Sequence, residues 1–63
     1  MTITLKAARV NRGITQEALA DALNVSKKTI SSWESGKTVP KIDKIQLLCS
    51  ALGVEYNDIQ WTH

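Results

Sequence analysis

The chain has 63 residues, with eight Lys and Arg against six Asp and Glu, a formal net charge of +2, one Cys and one His. That length holds one domain near the lower limit for independent folding, burying about 60% of the surface its unfolded chain exposes. Cys49 cannot form an internal disulfide, and with His63 alone it cannot build a four-ligand zinc site. No apolar run approaches the ~20 residues that cross a bilayer and no signal-peptide core opens the chain, so the expected location is the cytoplasm.

Thr4 is a fitting N-cap for a first helix that runs through Leu5, Ala8 and Arg9 to about Asn11, with Gly13 as its stop. Its inward face carries a charge, Arg9. Thr15 caps a second helix whose apolar face is Leu19, Ala20 and Leu23, leaving Gln16, Glu17 and Asp21 toward solvent. Asn24 follows, a residue type that tolerates left-handed backbone. It permits a tight turn in which Val25 tucks inward and Ser26 caps the next helix.

The third helix runs from about Lys27 to Ser35 and is ended by Gly36. At about 100° per residue, Ile30, Trp33 and Glu34 point one way and Lys28, Ser31, Ser32 and Ser35 the other, with Lys27 at the flank. Trp33 therefore reads as core rather than as a stacking platform. Thr38, Val39 and Pro40 lead to a fourth helix with Ile42, Ile45, Leu48, Cys49 and Leu52 as its buried stripe and Gly53 as its stop. In that stripe Cys49 reads as a small buried hydrophobe. A short fifth helix, about Tyr56 to Gln60, is expected to close the core with Val54 and Ile59. The expected fold is all-α: one domain over residues 1–63, a compact bundle of five short helices without repeat or linker.

Charge is unevenly placed. Between Asn24 and Lys44 there are five basic residues and two acidic ones, a local balance of +3, and the remainder has three basic against four acidic. Lys27 and Lys28 open the third helix, where the helix dipole already presents its positive end, so each should cost roughly 0.3 to 1 kcal/mol. Local stability does not account for them, whereas a polyanionic partner does. Two short helices joined by a tight turn, the second tipped with lysines, have the pattern of a DNA-reading helix-turn-helix.

Arg9 before Gly13, Thr15-Gln16, Leu19-Ala20, Val25-Ser26, Ile30, Trp33-Glu34, Gly36-Lys37, Pro40 and Ala51-Leu52-Gly53-Val54 together resemble the lambda-repressor-like, Cro-type helix-turn-helix family of phage and bacterial regulators. Nearly the whole chain is covered. Asn24 stands where the family turn usually has glycine, Ala8 where a larger aliphatic is common, and Glu55 where a capping Ser or Thr is frequent.

The resemblance implies that Gln16 holds a DNA phosphate and braces the first residue of the reading helix, Lys27. It implies further that Lys27, Lys28 and Ser32 read bases with Ser31 beside them and Ser26 at the cap, and that Lys37, Thr38 and Lys41 follow the sugar-phosphate backbone. Arg9 and Glu34 match a buried salt bridge of the family. Their positions on otherwise apolar faces require the same pairing.

The expected function is sequence-specific double-stranded DNA binding by a transcriptional regulator, most simply a repressor that occludes a promoter, with no catalysis, cofactor, metal or small-molecule ligand. A homodimer on a pseudo-palindromic operator, formed in solution or only on DNA, supplies the affinity that one module lacks. Leu47 lies roughly 160° from the centre of the fourth helix's stripe. With Tyr56, Ile59 and Trp61 it forms either a dimer or partner contact, or a tail packed on its own core. The rival function is a protein-interaction module, such as an antitoxin-like partner. An enzyme is the third reading, poorly supported by one Cys, a terminal His and no convergent acid pair. Nothing is assigned to His63.

Overall fold

A computed structural model describes residues 2–61; His63 lies outside them. In chain order the elements are β1 (Ile3–Thr4), α1 (Leu5–Asn11), α2 (Gln16–Leu23), α3 (Lys27–Ser35), α4 (Ile42–Leu52), a 3-10 turn (Tyr56–Asp58) and β2 (Ile59–Gln60).

The first three helices start where a hydroxyl can satisfy an orphan amide. Thr4 Oγ1 accepts from the Ala7 N–H at 3.1 Å, Thr15 Oγ1 from Ala18 at 3.0 Å and Ser26 Oγ from Thr29 at 3.1 Å, each from an extended residue. The α2–α3 turn depends on Asn24, whose backbone is left-handed at φ 57°, ψ 44°. Val25, half-buried, then returns its N–H to the Ala20 carbonyl at 3.0 Å. A Cβ without a compensating polar group is disfavoured there, so Asn24→Ala is expected to cost about 1 to 2 kcal/mol while Asn24→Gly changes little, as read from thermal unfolding midpoints. Equal midpoints for the alanine and glycine variants would show that the turn relaxes to another conformation.

The core is one cluster drawn from every layer. Leu5 and Ala8 of α1, Leu19, Ala20 and Leu23 of α2, Ile30 and Trp33 of α3 and Leu48 and Leu52 of α4 meet Ile59 of β2. Ile30 and Leu48 are wholly shielded from solvent.

Two expectations need correction. The fold is not all-α and among the described residues has four α-helices rather than five: past one 3-10 turn the chain is extended, and β2 pairs in parallel with β1 in the register Ile3 with Ile59 and Thr4 with Gln60. The backbone leaves the helical region at Ile59, which is extended at φ −109°, ψ 137°. The Asp58 carboxylate instead accepts from the Glu55 N–H at 2.9 Å, closing the turn on itself. β-Branched Ile3 and Ile59 suit the strand pair, and Ile59 still fills the core.

The second correction concerns α4, where the buried stripe is Ile45, Leu48 and Leu52. Ile42 is 66% exposed and Cys49 half-buried. Both lie well off the line through those three residues at about 100° per position, and Ile42, at the helix start, has no preceding turn beneath it. The Cys49 thiol is pushed above its ordinary pKa, first by desolvation and then by the Asp58 and Glu55 carboxylates, which disfavours the thiolate. Among the described residues no helix is long and apolar enough to cross a membrane, and no group of His, Cys, Asp and Glu is placed to hold a metal.

Candidate nucleic-acid interface

The face of α3 that packs inward is short and apolar, Ile30 and Trp33, and this leaves its other side free. Lys27, Lys28, Ser31 and Ser35 are exposed and Ser32 is half-buried. Lys28, Ser31, Ser32, Ser35 and Lys37 line a groove of about 260 Å³ along this face. Neither Lys27 nor Lys28 takes part in an ion pair; among the described residues the salt bridge is that of Arg9 with Glu34. Two cations therefore project from the helix's positive end beside small hydroxyls, and no internal anion balances them.

After α3 the chain folds back across the helix end. Gly36 adopts φ 83°, and the Lys37 and Thr38 N–H groups both donate to the Ser32 carbonyl, at 3.1 and 3.4 Å. Lys37, Thr38 and Lys41 are exposed on the loop that follows, and Lys41 is the residue before α4. Buried Pro40 anchors the loop between them.

What fixes α3 against the other helices is a polar network. Arg9 Nε donates to Glu34 Oε2 at 2.6 Å and Nη2 to Glu34 Oε1 at 3.2 Å, a bidentate pair, while Nη1 donates to the Ile14 carbonyl at 2.8 Å. Gln16 Nε2 adds a bond to Glu34 Oε1 at 3.0 Å. One carboxylate thus ties together α1, α2 and α3, and no buried side-chain polar atom among the described residues lacks a partner. The Gln16 amide N–H thus goes to the charged acceptor Glu34, and no hydrogen bond joins Gln16 to Lys27 among the described residues.

Other expected residues divide. Ser26 spends its hydroxyl on the cap of α3 and on Thr29 Oγ1, 2.9 Å away, but remains exposed. Ile59 is 4% exposed and leaves the candidate contact surface, because β2 carries it into the core. Trp61 is half-buried: its Nε1 donates to the Tyr56 carbonyl at 2.9 Å and its ring stacks on Tyr56 at 5.8 Å. Leu47 and Tyr56, at 47% and 53% exposure, remain on the surface.

Lys44, counted above with the basic cluster, has a structural task. Its Nζ donates to the Leu23 carbonyl at 3.2 Å, placing a cation at the negative end of α2. Sequence spacing holds no signal for this contact, since it joins two helices across the core.

A helix-turn-helix family model matches residues 5–59. Among known proteins, the HTH-type transcriptional activator BcrR of Enterococcus faecalis is 34% identical over 55 residues. That match takes in 87% of this chain but 27% of BcrR, so the chain spans about a quarter of that relative's length. The uncharacterized HTH-type transcriptional regulator YgzD of Bacillus subtilis (strain 168) is 28% identical over 57 residues, covering 90% of this chain and 86% of YgzD. The capped helices, the left-handed turn at Asn24 and the family match over most of the chain agree: the chain belongs to the helix-turn-helix family.

Proposed function

We propose that this domain binds double-stranded DNA sequence-specifically and acts as a transcriptional regulator, working in the cytoplasm where such a partner lies. The observation that carries the reading is the uncompensated lysine pair at the positive end of α3, above an outward face of serines. In this reading α3 enters the major groove. Lys27 and Lys28 reach guanine O6 and N7, and Ser31 and Ser32 allow close approach to base edges. Gln16, Ser26, Lys37, Thr38 and Lys41 contact phosphates and set the register.

One such module buries only about 600 to 1,000 Å² on DNA, so the working form is a homodimer on a pseudo-palindrome with half-sites about 34 Å apart. Exposed Leu47 and Tyr56, with the stacked Trp61, are the proposed contact between copies. Occupancy of a promoter gives repression. The activator name of the Enterococcus faecalis relative is compatible with the same docking at an operator placed elsewhere.

Selection of bound duplexes from a random pool, repeated at two salt concentrations, tests the proposal. An enriched half-site motif together with affinity that falls steeply with salt is the expected result. Recovery of a pool as random as the input, at both concentrations, would leave the protein-interaction module as the better reading.

A further inference from the structure

The outward face of α3 is bordered by two grooves. Besides the one that includes Lys28 and Lys37, a second of about 170 Å³ is lined by Lys6, Gln16, Ser31, Glu34 and Ser35. Ser31 and Ser35 line both, so these two serines lie between the grooves on the exposed face. At about 100° per residue Ser32 lies to one side of Ser31 and Ser35, and Glu34 to the other. The second groove is therefore on the flank away from Lys37, facing α1 and the start of α2.

This flank is rich in donors. Glu34 is the one acid lining it, and its carboxylate is already held by two bonds from Arg9 and one from Gln16, with the Arg9 charge opposing its own. What remains to offer a ligand is the Lys6 ammonium, the second N–H of the Gln16 amide and the Ser31 hydroxyl, since the Ser35 hydroxyl already donates to the Ser32 carbonyl at 3.1 Å. Lys6 is exposed on α1 and, among the described residues, makes no ion pair. An α-helix with its side chains is about 10–12 Å across, close to the ~12 Å width of the major groove, so phosphate rows run along both of its flanks.

Resting on the DNA-binding reading above, we propose that Lys6 is a phosphate-binding residue. It joins Gln16 in holding the DNA strand on the flank of α3 opposite Lys37, adding the only full cation among the described residues lining that groove to the grip on that backbone. Its role is to position the helix and add affinity without reading sequence.

Titration of the wild-type chain, Lys6→Ala, Lys6→Arg and Lys37→Ala with the selected operator and with a random duplex, from 50 to 200 mM salt, tests this. Lys6→Ala is expected to weaken both duplexes alike and to lower the slope of log affinity against log salt by about 0.9. The affinity lost across that salt range then shrinks about 3.5-fold, while the selected motif is unchanged and Lys6→Arg restores the slope. A merely structural lysine would not move the slope. If Lys6→Ala lowers the melting temperature, Lys6→Gln, which keeps most of the stem, takes its place. A wild-type slope in Lys6→Ala beside a reduced slope in Lys37→Ala overturns the proposal and leaves DNA binding intact, as does a change of motif, which would make Lys6 a base reader. If the wild-type chain binds neither duplex at 50 mM salt, the functional reading fails and this proposal with it.

Discussion

Arg9→Met is expected to destabilise the domain by about 3 to 5 kcal/mol, measured as a loss of unfolding free energy in urea with far-ultraviolet circular dichroism as the probe. The side chains of Arg9 and Glu34 are only 10% and 4% exposed, and their bonds are bidentate. Removing the guanidinium leaves the buried Glu34 carboxylate without its bonded counter-charge, with the Gln16 amide as its remaining hydrogen-bond partner, and frees the Ile14 carbonyl as well. Buried charge without a counter-charge is the costly state. A domain of this size has little reserve, so the variant should be largely unfolded or close to it. The double variant Arg9→Met/Glu34→Leu removes both charges and should recover much of the loss. A single variant within about 1 kcal/mol of wild type would mean that solvent reaches the pair.

Lys27→Ala and Lys28→Ala are expected to move stability and binding in opposite directions. Each takes a cation away from the positive end of α3, so the unfolding free energy should rise by roughly 0.3 to 1 kcal/mol. On the proposed docking each also removes a contact to a guanine edge, so operator affinity should fall by about 1 to 3 kcal/mol, roughly 5- to 150-fold. The pair are neighbours and will not add simply. The combination distinguishes an interface from a solvated helix end: a surface kept for stability alone cannot gain stability when its charges are deleted. Operator affinity unchanged in the double variant, with folding intact, would remove α3 from the DNA interface and favour a protein partner.

Helix starts and stops were legible because they are settled within a few residues. A hydroxyl at Thr4, Thr15 or Ser26 reaches an amide three positions on, and Asn24 and Gly36 are suited to left-handed backbone whatever packs around them. The Arg9–Glu34 pair was legible for another reason. Periodicity placed two opposite charges on inward faces, and burial allows them no alternative but each other. Of the candidate interface, the outward face of α3 could be drawn from angular spacing alone, whereas the neighbours of Gln16, Lys44 and Lys6 could not.

The amino-acid order by itself thus determined four helices, the tight turn between α2 and α3, the charged ion pair and the side of α3 that carries lysine and serine. Tertiary structure alone decided that the C-terminal segment becomes a strand, that Gln16 serves Glu34, that Lys44 serves α2, and that Lys6 comes to border α3. The division has one physical cause. Caps, turns and helix faces depend on groups three or four residues apart, while strand pairing and the partners of long polar side chains depend on where packing brings distant parts of the chain together.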